Sequence, residues 1–334
     1  MSRVRDRVDA LRAAGDAVAA IDVVIDALRI ESDPALEALL VDLRHEAFFQ
    51  AAPADTVSVE PEPARARAAS DLPELTRGEL TAEALREGMS TYGCVLVRGL
   101  IDESEAADLR DGIDRTFSAF DDRQSGGREP GDAPWFTPFQ PSVGDYRIGG
   151  RKFMRESGGV WTVDSPRMMF TLTELFERHG LRDLVTAYLG ERPALSANKC
   201  NLRRVPVDTQ TNWHQDGAFL GREVRSLNLW LALGSCGVDA PALDVVPRRI
   251  DRIVETGTPG AMFDWSVSPE KVEEAAGDVA VVRPTFAAGD ALFFDHLFLH
   301  RTGVSAGMTN ERHAIESWFF APSSYPDGQI PILL

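Results

Sequence analysis

The sequence predicts an α+β protein that begins with helices and continues into an antiparallel β-sandwich of the jelly-roll type. Apolar residues recur at steps of three and four through the first fifty positions, which is the period of an amphipathic helix. From Ala194 onward, short apolar or alternating segments are separated by Gly, Pro and Asp, which favours antiparallel strands. The chain has no GxGxxG or Walker pattern, so a nucleotide-binding Rossmann or P-loop fold lacks its central feature.

The chain is long enough for one large domain with an appendage. We predict a helical appendage over residues 1–50, in which Val4 and Val8 lie on one apolar face. Residues 51–75 are rich in Ala, Pro and charge without apolar periodicity, which is typical of a linker or surface extension. Residues 76–334 then form the main domain.

The main domain is predicted to open with mixed helix and strand. Thr81 caps a helix that Gly93 ends, a short apolar strand follows over 94–97, and an amphipathic helix covers 102–120. Residues 121–160 are rich in Gly, Pro and aromatics, which indicates a long loop over a cavity. The candidates for substrate contact there are Trp135, Phe136, Tyr146, Arg151 and Trp161. The strands predicted further on are LSANKCNLRRV, SLNLWLAL, ALDVVP, DVAVVRP, DALFFDHLFLH and HAIESWFF.

Composition and charge restrict the partners. Apolar residues make up 44% of the chain and charged residues 26%, which is ordinary globular usage. Asp and Glu outnumber Lys and Arg by 52 to 35, and the formal charge of −17 argues against nucleic acid and acidic membranes. No apolar segment resembles a signal peptide or membrane span, so we expect a cytoplasmic protein. Cys94, Cys200 and Cys236 are odd in number and far apart, which predicts reduced, packed thiols.

His214-Gln215-Asp216 is the first candidate for a metal site. On an extended segment, residues two apart face the same way, so one imidazole and one carboxylate can share an ion. A third ligand must come from elsewhere, and the predicted strand DALFFDHLFLH offers His296 and His300, which an even spacing places on one face. Two histidines and one carboxylate leave three positions open on an octahedral ion, which suits Fe(II) chemistry with a cosubstrate and O₂.

Arg312 begins the strand RHAIESWFF, twelve residues after His300. A hairpin between the two strands would bring its guanidinium beside the metal. A dicarboxylate that chelates iron at one end needs a fixed bidentate cation at the other, which Arg supplies better than Lys. Thr302, two residues past His300, could donate a hydroxyl to the same carboxylate.

Five segments, in this order, resemble the phytanoyl-CoA dioxygenase family: HQDG, LNLWLAL, APALDVVP, GDALFFDHLFLHRTG and NERHAIESWFF. The resemblance covers residues 91–320. It implies a double-stranded β-helix (jelly-roll, cupin-like) core with flanking helices, and an oxygenase that uses Fe(II), 2-oxoglutarate and O₂. The residues that match the family's iron ligands and 2-oxoglutarate contacts are His214, Asp216 and His300 for iron, and Arg312, Thr302, Trp230 and Lys199 for the cosubstrate.

The resemblance also implies a reaction. We expect oxidation of a C–H bond in a small or medium metabolite, with hydroxylation as the default outcome and release of succinate and CO₂. Asp216 stands where the halogenases of the family have a small residue, so halogenation is not expected. The family often has a PGSH turn where this chain has Pro247-Arg248-Arg249, which concerns local loop geometry.

Two other interpretations remain open from the sequence. A cupin-like isomerase, or a sensor that binds metal and ligand without turnover, could share the jelly roll, although an isomerase would not need Arg312. The helical front end could also serve partner binding, including association of identical chains. The substrate itself is not encoded in any pattern of the sequence.

Overall fold

The computed structural model describes residues 2–50, 72–127, 130–210 and 212–334. Most of the predicted linker, residues 51–71, lies outside the described residues. Among the helices of these ranges, none is both long enough and apolar enough to cross a membrane.

Helices cover the first fifty residues and flank the strands that follow. Their bounds are α1 (Ser2–Ala13), α2 (Ala17–Ile30), α3 (Pro34–Gln50), α4 (Ala82–Tyr92), α5 (Glu103–Gln124), α6 (Arg151–Glu156), α7 (Pro166–Arg178), α8 (Leu181–Leu189), α9 (Gly217–Leu220) and α10 (Pro269–Ala276). The predicted caps are present: the Thr81 side chain accepts from the Ala84 amide, and Gly93 ends α4 in the left-handed conformation. Asp102 forms a capping box with Glu105 at the start of α5.

The strands are short and mostly antiparallel. Their bounds are β1 (Glu74–Thr76), β2 (Cys94–Arg98), β3 (Gly159–Trp161), β4 (Ala194–Ser196), β5 (Asn201–Val205), β6 (Ser226–Ala232), β7 (Ala242–Val245), β8 (Ala291–Phe294), β9 (His300–Gly303), β10 (Arg312–Phe320) and β11 (Pro331–Leu333).

The large sheet has the strand order β1-β2-β8-β6-β10-β4-β11, and β5 joins β10 to β3. Its two faces differ because side chains alternate along each strand. Leu227, Leu229 and Leu231 of β6 point to a face covered by helices, where they join the largest apolar cluster. Asn228 and Trp230 point to the opposite face. The register pairs Trp230 with Glu316 of β10, so both lie on this inner face.

The small sheet faces the inner side of the large one and carries the metal candidates. It consists of β7 and β9, paired so that Val245 lies opposite His300. Single bridges extend it: Val282 pairs with Val245 beyond β7, and His214 pairs with His300 beyond β9. The predicted two-layer β arrangement with helices at its front is therefore present.

The predicted strand DALFFDHLFLH is wrong as a single strand. β8 ends at Phe294 in the large sheet, and β9 starts at His300 in the small one. The Asp295 carboxylate accepts a hydrogen bond from the Leu297 amide at 2.9 Å, which turns the chain between the sheets. His296 lies in this turn, so it does not share a strand face with His300.

Two further strand predictions need correction. DVAVVRP forms no strand and makes one bridge, through Val282. LSANKCNLRRV is interrupted between β4 and β5, where Lys199 and Cys200 donate backbone hydrogen bonds to the Ser196 carbonyl. That turn matters for the site because it places Lys199 at the end of the sheet.

Helices α1 to α3 share their own apolar cluster, which includes Val8, Ile21 and Leu40. The cluster continues into the main domain through Leu333 of β11 and Phe170 of α7. The division into appendage, linker and main domain stays a prediction, as does association of chains through these helices.

Gly289 permits a close turn before β8, and its replacement tests the fold. It has a φ of +89°, and a Cβ there would lie 2.2 Å from the Ile101 carbonyl oxygen. Gly307 has a similar φ of +95° with no atom within 4 Å of the same position. We expect Gly307→Ala to lower the free energy of unfolding by about 1–2 kcal/mol, the left-handed strain alone. Gly289→Ala should lower it by about 2–5 kcal/mol, because overpacking adds to that strain. An equal loss of unfolding free energy in the two variants, measured by urea unfolding, would contradict the described backbone at Gly289.

Candidate active site

His214, Asp216 and His300 form one group at the edge of the small sheet. Their ligand atoms all lie within 4.8 Å of one another. The backbone creates this proximity: the His214 amide donates to the His300 carbonyl at 2.9 Å, and the His300 amide donates back at 3.1 Å. Asp216 and His300 are each 7% exposed, whereas His214 is half-buried. The structure thus brings together the three residues predicted to hold iron.

Backbone carbonyls set the tautomer of both histidines. Nδ1 of His214 donates to the carbonyl oxygen of Asn212 at 3.1 Å, and Nδ1 of His300 donates to that of Phe298 at 3.0 Å. A carbonyl oxygen only accepts, so Nδ1 carries a proton in both rings and Nε2 is the nitrogen left for a metal ion. Burial and, to a smaller extent, the nearby His214 lower the pKa of His300 to about 4, although Asp216 opposes both effects. The imidazole of His300 is therefore neutral at pH 7, as a metal ligand must be.

His296, the rival third ligand, has another role. Its Nε2 donates to the Arg222 carbonyl at 3.0 Å, and its Nδ1 accepts from the Ser226 hydroxyl at 3.0 Å. Both ring nitrogens are engaged, so neither is free to bind a metal. The His296 carbonyl accepts from the Gly217 amide at 2.7 Å, which fixes the segment just after Asp216.

Gln215 separates the two ligands of the HxD segment and points away from them into the protein. Its side chain is fully buried. Its amide nitrogen donates to the carbonyls of Arg252 and Leu297, and its amide oxygen accepts from the Val254 backbone at 2.6 Å. These three bonds anchor the segment to two loops of the small sheet, and they leave His214 and Asp216 facing the opposite way.

We expect Gln215→Leu to loosen the group of His214, Asp216 and His300, hereafter the metal group, although Gln215 does not contact a metal ion. The change leaves buried backbone groups without hydrogen-bond partners, and each such group costs about 1–3 kcal/mol. The free energy of unfolding should therefore fall by at least about 2 kcal/mol. Iron affinity should fall by roughly 10–100-fold, as for other residues that hold ligands in place. Thermal unfolding and Fe(II) titration measure both, with exposed Gln140→Leu as control. Wild-type values in Gln215→Leu would refute this role.

Arg312 lies between the two sheets and is 2% exposed. Its Nη1 donates to the Ala242 carbonyl at 3.0 Å, and its guanidinium lies 5.4 Å from the centre of the Trp230 ring. Nε of Arg312 and Nε1 of Trp230 are buried, and neither has a hydrogen-bond partner among the described residues. Burial lowers the pKa of Arg312 to about 10, with Arg203 contributing, so it remains a cation at neutral pH. A buried cation with a free donor is a site for an anion.

Thr302 occupies the stretch of β9 between the metal group and Arg312. It faces the same side as His300, two residues away, and it pairs with Leu243 in the register. The next pair is Gly303 with Ala242, whose carbonyl accepts from Arg312. The Thr302 hydroxyl makes no hydrogen bond within the described part of the chain, so it is available to a ligand.

A polar group on the inner face of the large sheet was not predicted from the sequence. Glu316 lies four residues after Arg312 on β10, and its carboxylate accepts from the Asn201 amide at 3.1 Å. Nε of Arg203, on β5, lies 3.5 Å from Oε1 of Glu316. Burial raises the pKa of Glu316, but Arg203 and Arg312 outweigh it and hold the pKa below its ordinary value. Glu316 is four residues from Arg312, and Arg203 is two residues from Asn201. Because residues an even number apart on a strand share a face, this spacing is the signal that could have revealed the inward-facing set.

Most aromatic residues predicted to contact substrate pack elsewhere. Phe136 is buried in the cluster on the helix side of the large sheet, and Trp135 and Tyr146 pack against the same cluster. Arg151 forms an ion pair with the buried carboxylate of Asp164 at 2.7 Å. Trp161 is buried in that cluster too, and the Arg151 guanidinium lies 5.6 Å from its ring centre, although β3 pairs its backbone with Asn201.

Lys199 faces a different part of the site from Arg312. Its Nζ lies 3.7 Å from the centre of the Phe219 ring. Burial lowers its pKa, while Asp216 and Glu316 partly oppose that effect. Glu316 also acts on Arg312, but there it is joined by Arg203 rather than by Asp216. Lys199 therefore approaches the metal group from the side of Asp216 and Phe219.

Comparison with known proteins identifies the family. The sequence profile of the phytanoyl-CoA dioxygenase (PhyH) family matches residues 89–313, about two thirds of the chain. The chain belongs to the phytanoyl-CoA dioxygenase family. No protein of curated function matches it in sequence. PhyH-family proteins use Fe(II), 2-oxoglutarate and O₂, so these are the cofactors of this chain, and its activity is of the Fe(II)/2-oxoglutarate oxygenase type.

Solved structures support the fold of this family member. EctD from S. alaskensis with bound Fe has a TM-score of 0.52 and 14% identity, over 80% of this chain and 84% of EctD. EctD from the same source with 2-oxoglutarate and 5-hydroxyectoine has a TM-score of 0.51 and 15% identity, over 83% of this chain and 88% of EctD. The predicted cupin-like jelly-roll fold with N-terminal helices is confirmed.

The residues present suit the cofactors of the PhyH family. Two imidazoles and one carboxylate are a donor set that Fe(II) accepts while leaving positions open. Arg248 and Arg249 stand where the family often has a PGSH turn, but they do not contact His214, Asp216 or His300. Arg249 forms ion pairs with Asp295 and Asp251, and Arg248 donates to the Ala276 carbonyl at 3.0 Å. Both arginines are engaged in holding the turn after β7.

Proposed function

We propose that the protein is an Fe(II)- and 2-oxoglutarate-dependent dioxygenase that hydroxylates a C–H bond of a small or medium metabolite. His214, Asp216 and His300 would hold the iron, and Arg312 would bind the distal carboxylate of 2-oxoglutarate. Succinate and CO₂ are the co-products. Bound iron supplies the redox chemistry that couples 2-oxoglutarate decarboxylation to substrate oxidation.

The observation that carries this proposal is the buried, incompletely bonded Arg312. A guanidinium shielded from water is costly unless an anion completes its hydrogen bonds. Its contact, Ala242, lies three residue pairs along β9 from His300, roughly 10 Å at strand spacing. That span suits a five-carbon dicarboxylate with one end at the metal group and the other at Arg312. Thr302 lies between them.

The protein's own residues would position and shield the reactants. Nε1 of Trp230 and the Thr302 hydroxyl are further donors for the cosubstrate, and the inner face of the large sheet closes the site from behind. Exclusion of water strengthens these electrostatic contacts. Lys199 is the fourth residue predicted for the cosubstrate, and its ammonium lies over the Phe219 ring. The cytoplasmic location stays a prediction.

Hydroxylation is tested by product analysis. Purified protein with Fe(II), 2-oxoglutarate and ascorbate is screened against a panel of metabolites for stimulated succinate formation. Mass spectrometry of each active mixture under ¹⁸O₂ should show a product that has gained one labelled oxygen. A product that has lost two hydrogens without gaining oxygen would keep the oxygenase type but replace hydroxylation by desaturation or ring closure.

The cupin-like isomerase and the ligand sensor are separated by the same assay. An isomerase would convert its substrate without consuming 2-oxoglutarate, and a sensor would bind ligand with no product at all. An isomerase would not need the buried cation with a free donor that Arg312 provides, whereas a sensor that binds an anion could use it and is separated by the absence of product. Substrate conversion that continues without 2-oxoglutarate would overturn the proposed function.

A further inference from the structure

A wall of exposed aromatic side chains adjoins the metal group. Phe219 and Trp265 meet edge to face at 5.7 Å, and Phe263 stacks on Trp265 at 5.1 Å. His214 contacts Trp265 at 5.7 Å between ring centres. The three aromatics are 37%, 37% and 43% exposed, in that order, which is unusual for side chains of this size. Exposed apolar surface beside a reaction centre indicates a ligand-binding surface.

Lys199 supplies a charge at the edge of this wall. Its ammonium lies over the Phe219 ring and donates no side-chain hydrogen bond within the described residues. The negative charges that act on Lys199 are those of Asp216 and Glu316. A metal ion on Asp216 would neutralise the first, and Asn201 and Arg203 already engage the second. Among the described residues, Lys199 is then an inner-face cation that, like Arg312 before 2-oxoglutarate binds, lacks an anionic partner.

The distribution of charge selects one kind of ligand. A cationic group at the aromatic wall would meet Lys199 at close range, and like charges there are unfavourable. A neutral group would leave the ammonium with its aromatic contact alone. An anionic group would give Lys199 a charge-assisted hydrogen bond while the rest of the ligand packs on the rings.

We infer that Lys199 and the wall of Phe219, Trp265 and Phe263 bind the primary substrate, and that this substrate is a planar or apolar ring compound bearing a carboxylate. The inference rests on the proposed function, because it takes the His214, Asp216 and His300 group as the reaction centre. It places Lys199 in substrate recognition and leaves the distal carboxylate of 2-oxoglutarate to Arg312.

Binding of matched probes tests the inference without turnover. Anaerobic protein with Fe(II) and 2-oxoglutarate is titrated by calorimetry with 2-naphthoate, its neutral amide 2-naphthamide, and the cation 2-naphthylmethylamine. We expect 2-naphthoate to bind at least about 10-fold more tightly than the amide, the usual effect of one charge-assisted hydrogen bond. The amine should bind most weakly. Equal affinities, or no binding of 2-naphthoate, would overturn the inference.

Variants locate the effect. Lys199→Met should abolish the preference for 2-naphthoate over the amide and leave 2-oxoglutarate affinity unchanged, whereas Lys199→Arg should retain most of it. Trp265→Ala should weaken both probes together. Lys152→Met, at an exposed position of α6, is the matched control, and thermal unfolding checks that each variant folds. If Lys199→Met instead weakens 2-oxoglutarate, Lys199 belongs to the cosubstrate and the inference fails.

The inference and the proposed function fail in different ways. Probe binding that depends on Lys199, in a protein that never consumes 2-oxoglutarate, would contradict the function alone. Succinate formation stimulated only by cationic or aliphatic metabolites would keep the function and contradict the substrate class.

Discussion

Arg312→Ala is expected to weaken 2-oxoglutarate binding by about 30-fold to more than 1,000-fold. Truncating one partner of a buried, hydrogen-bonded charge pair costs about 2–5 kcal/mol, and each 1.4 kcal/mol is about tenfold in affinity. Arg312 has the required setting, since it is buried and retains a free donor beside Trp230. Calorimetric titration of the anaerobic Fe(II) protein with 2-oxoglutarate measures the loss.

Arg312→Lys separates charge from geometry. A lysine keeps the positive charge but cannot form two parallel hydrogen bonds, so its affinity should lie between those of wild type and Arg312→Ala. Arg204→Lys is the control, because Arg204 is next to Arg203 on β5 but points outward to Glu311 at 2.6 Å. An Arg312→Ala protein that binds 2-oxoglutarate like wild type would remove the main support for the proposed cosubstrate site.

Asp216→Ala is expected to lower iron affinity by more than about 100-fold and to abolish succinate formation. Residues that only hold ligands in place already contribute about 10–100-fold, so loss of a ligand should exceed that range. The group is also left with two imidazoles and no anion to balance the ion's charge. Equilibrium titration with Fe(II) under anaerobic conditions measures the affinity directly.

Thermal unfolding distinguishes a lost ligand from a damaged fold. Because a metal that binds the native state stabilises it, Fe(II) should raise the melting temperature of wild type but not that of Asp216→Ala. The variant without metal should melt near the wild-type temperature. Asp208→Ala, at an exposed turn upstream of the HxD segment, should behave like wild type. An Fe(II)-induced rise of equal size in Asp216→Ala would exclude Asp216 as a ligand.

The local signals of helices and caps were readable in the sequence. Thr81, Gly93 and Asp102 mark helix ends because a side-chain oxygen or a positive φ satisfies specific backbone groups there. The HxD segment was readable too, since its two ligands are neighbours. The third ligand was ambiguous because no Gly or Pro marks the turn at Asp295, where one carboxylate redirects the chain between sheets. Only the tertiary bonds of His296 show why it is unavailable.

Residues contributed by separate strands could not be assigned from the sequence. Glu316 is a charged residue on a strand, which commonly faces solvent, and its inward position depends on the register of β10 against β5 and β6. Phe263 and Trp265 lie in an irregular loop without periodicity, so no pattern connects them with His214. Lys199 was associated with the cosubstrate by family resemblance, whereas its contact with Phe219 follows from the turn between β4 and β5.

One chain should bind Fe(II) and 2-oxoglutarate together at the group of His214, Asp216 and His300, and the proposed function depends on this claim. The most direct measurement is an anaerobic titration followed by visible absorption. Adding 2-oxoglutarate to the Fe(II) protein should produce a charge-transfer band that saturates at one cosubstrate per chain. The band should be absent in Asp216→Ala and displaced to much higher 2-oxoglutarate concentrations in Arg312→Ala. No band in wild type, or an identical titration in both variants, would contradict the claim.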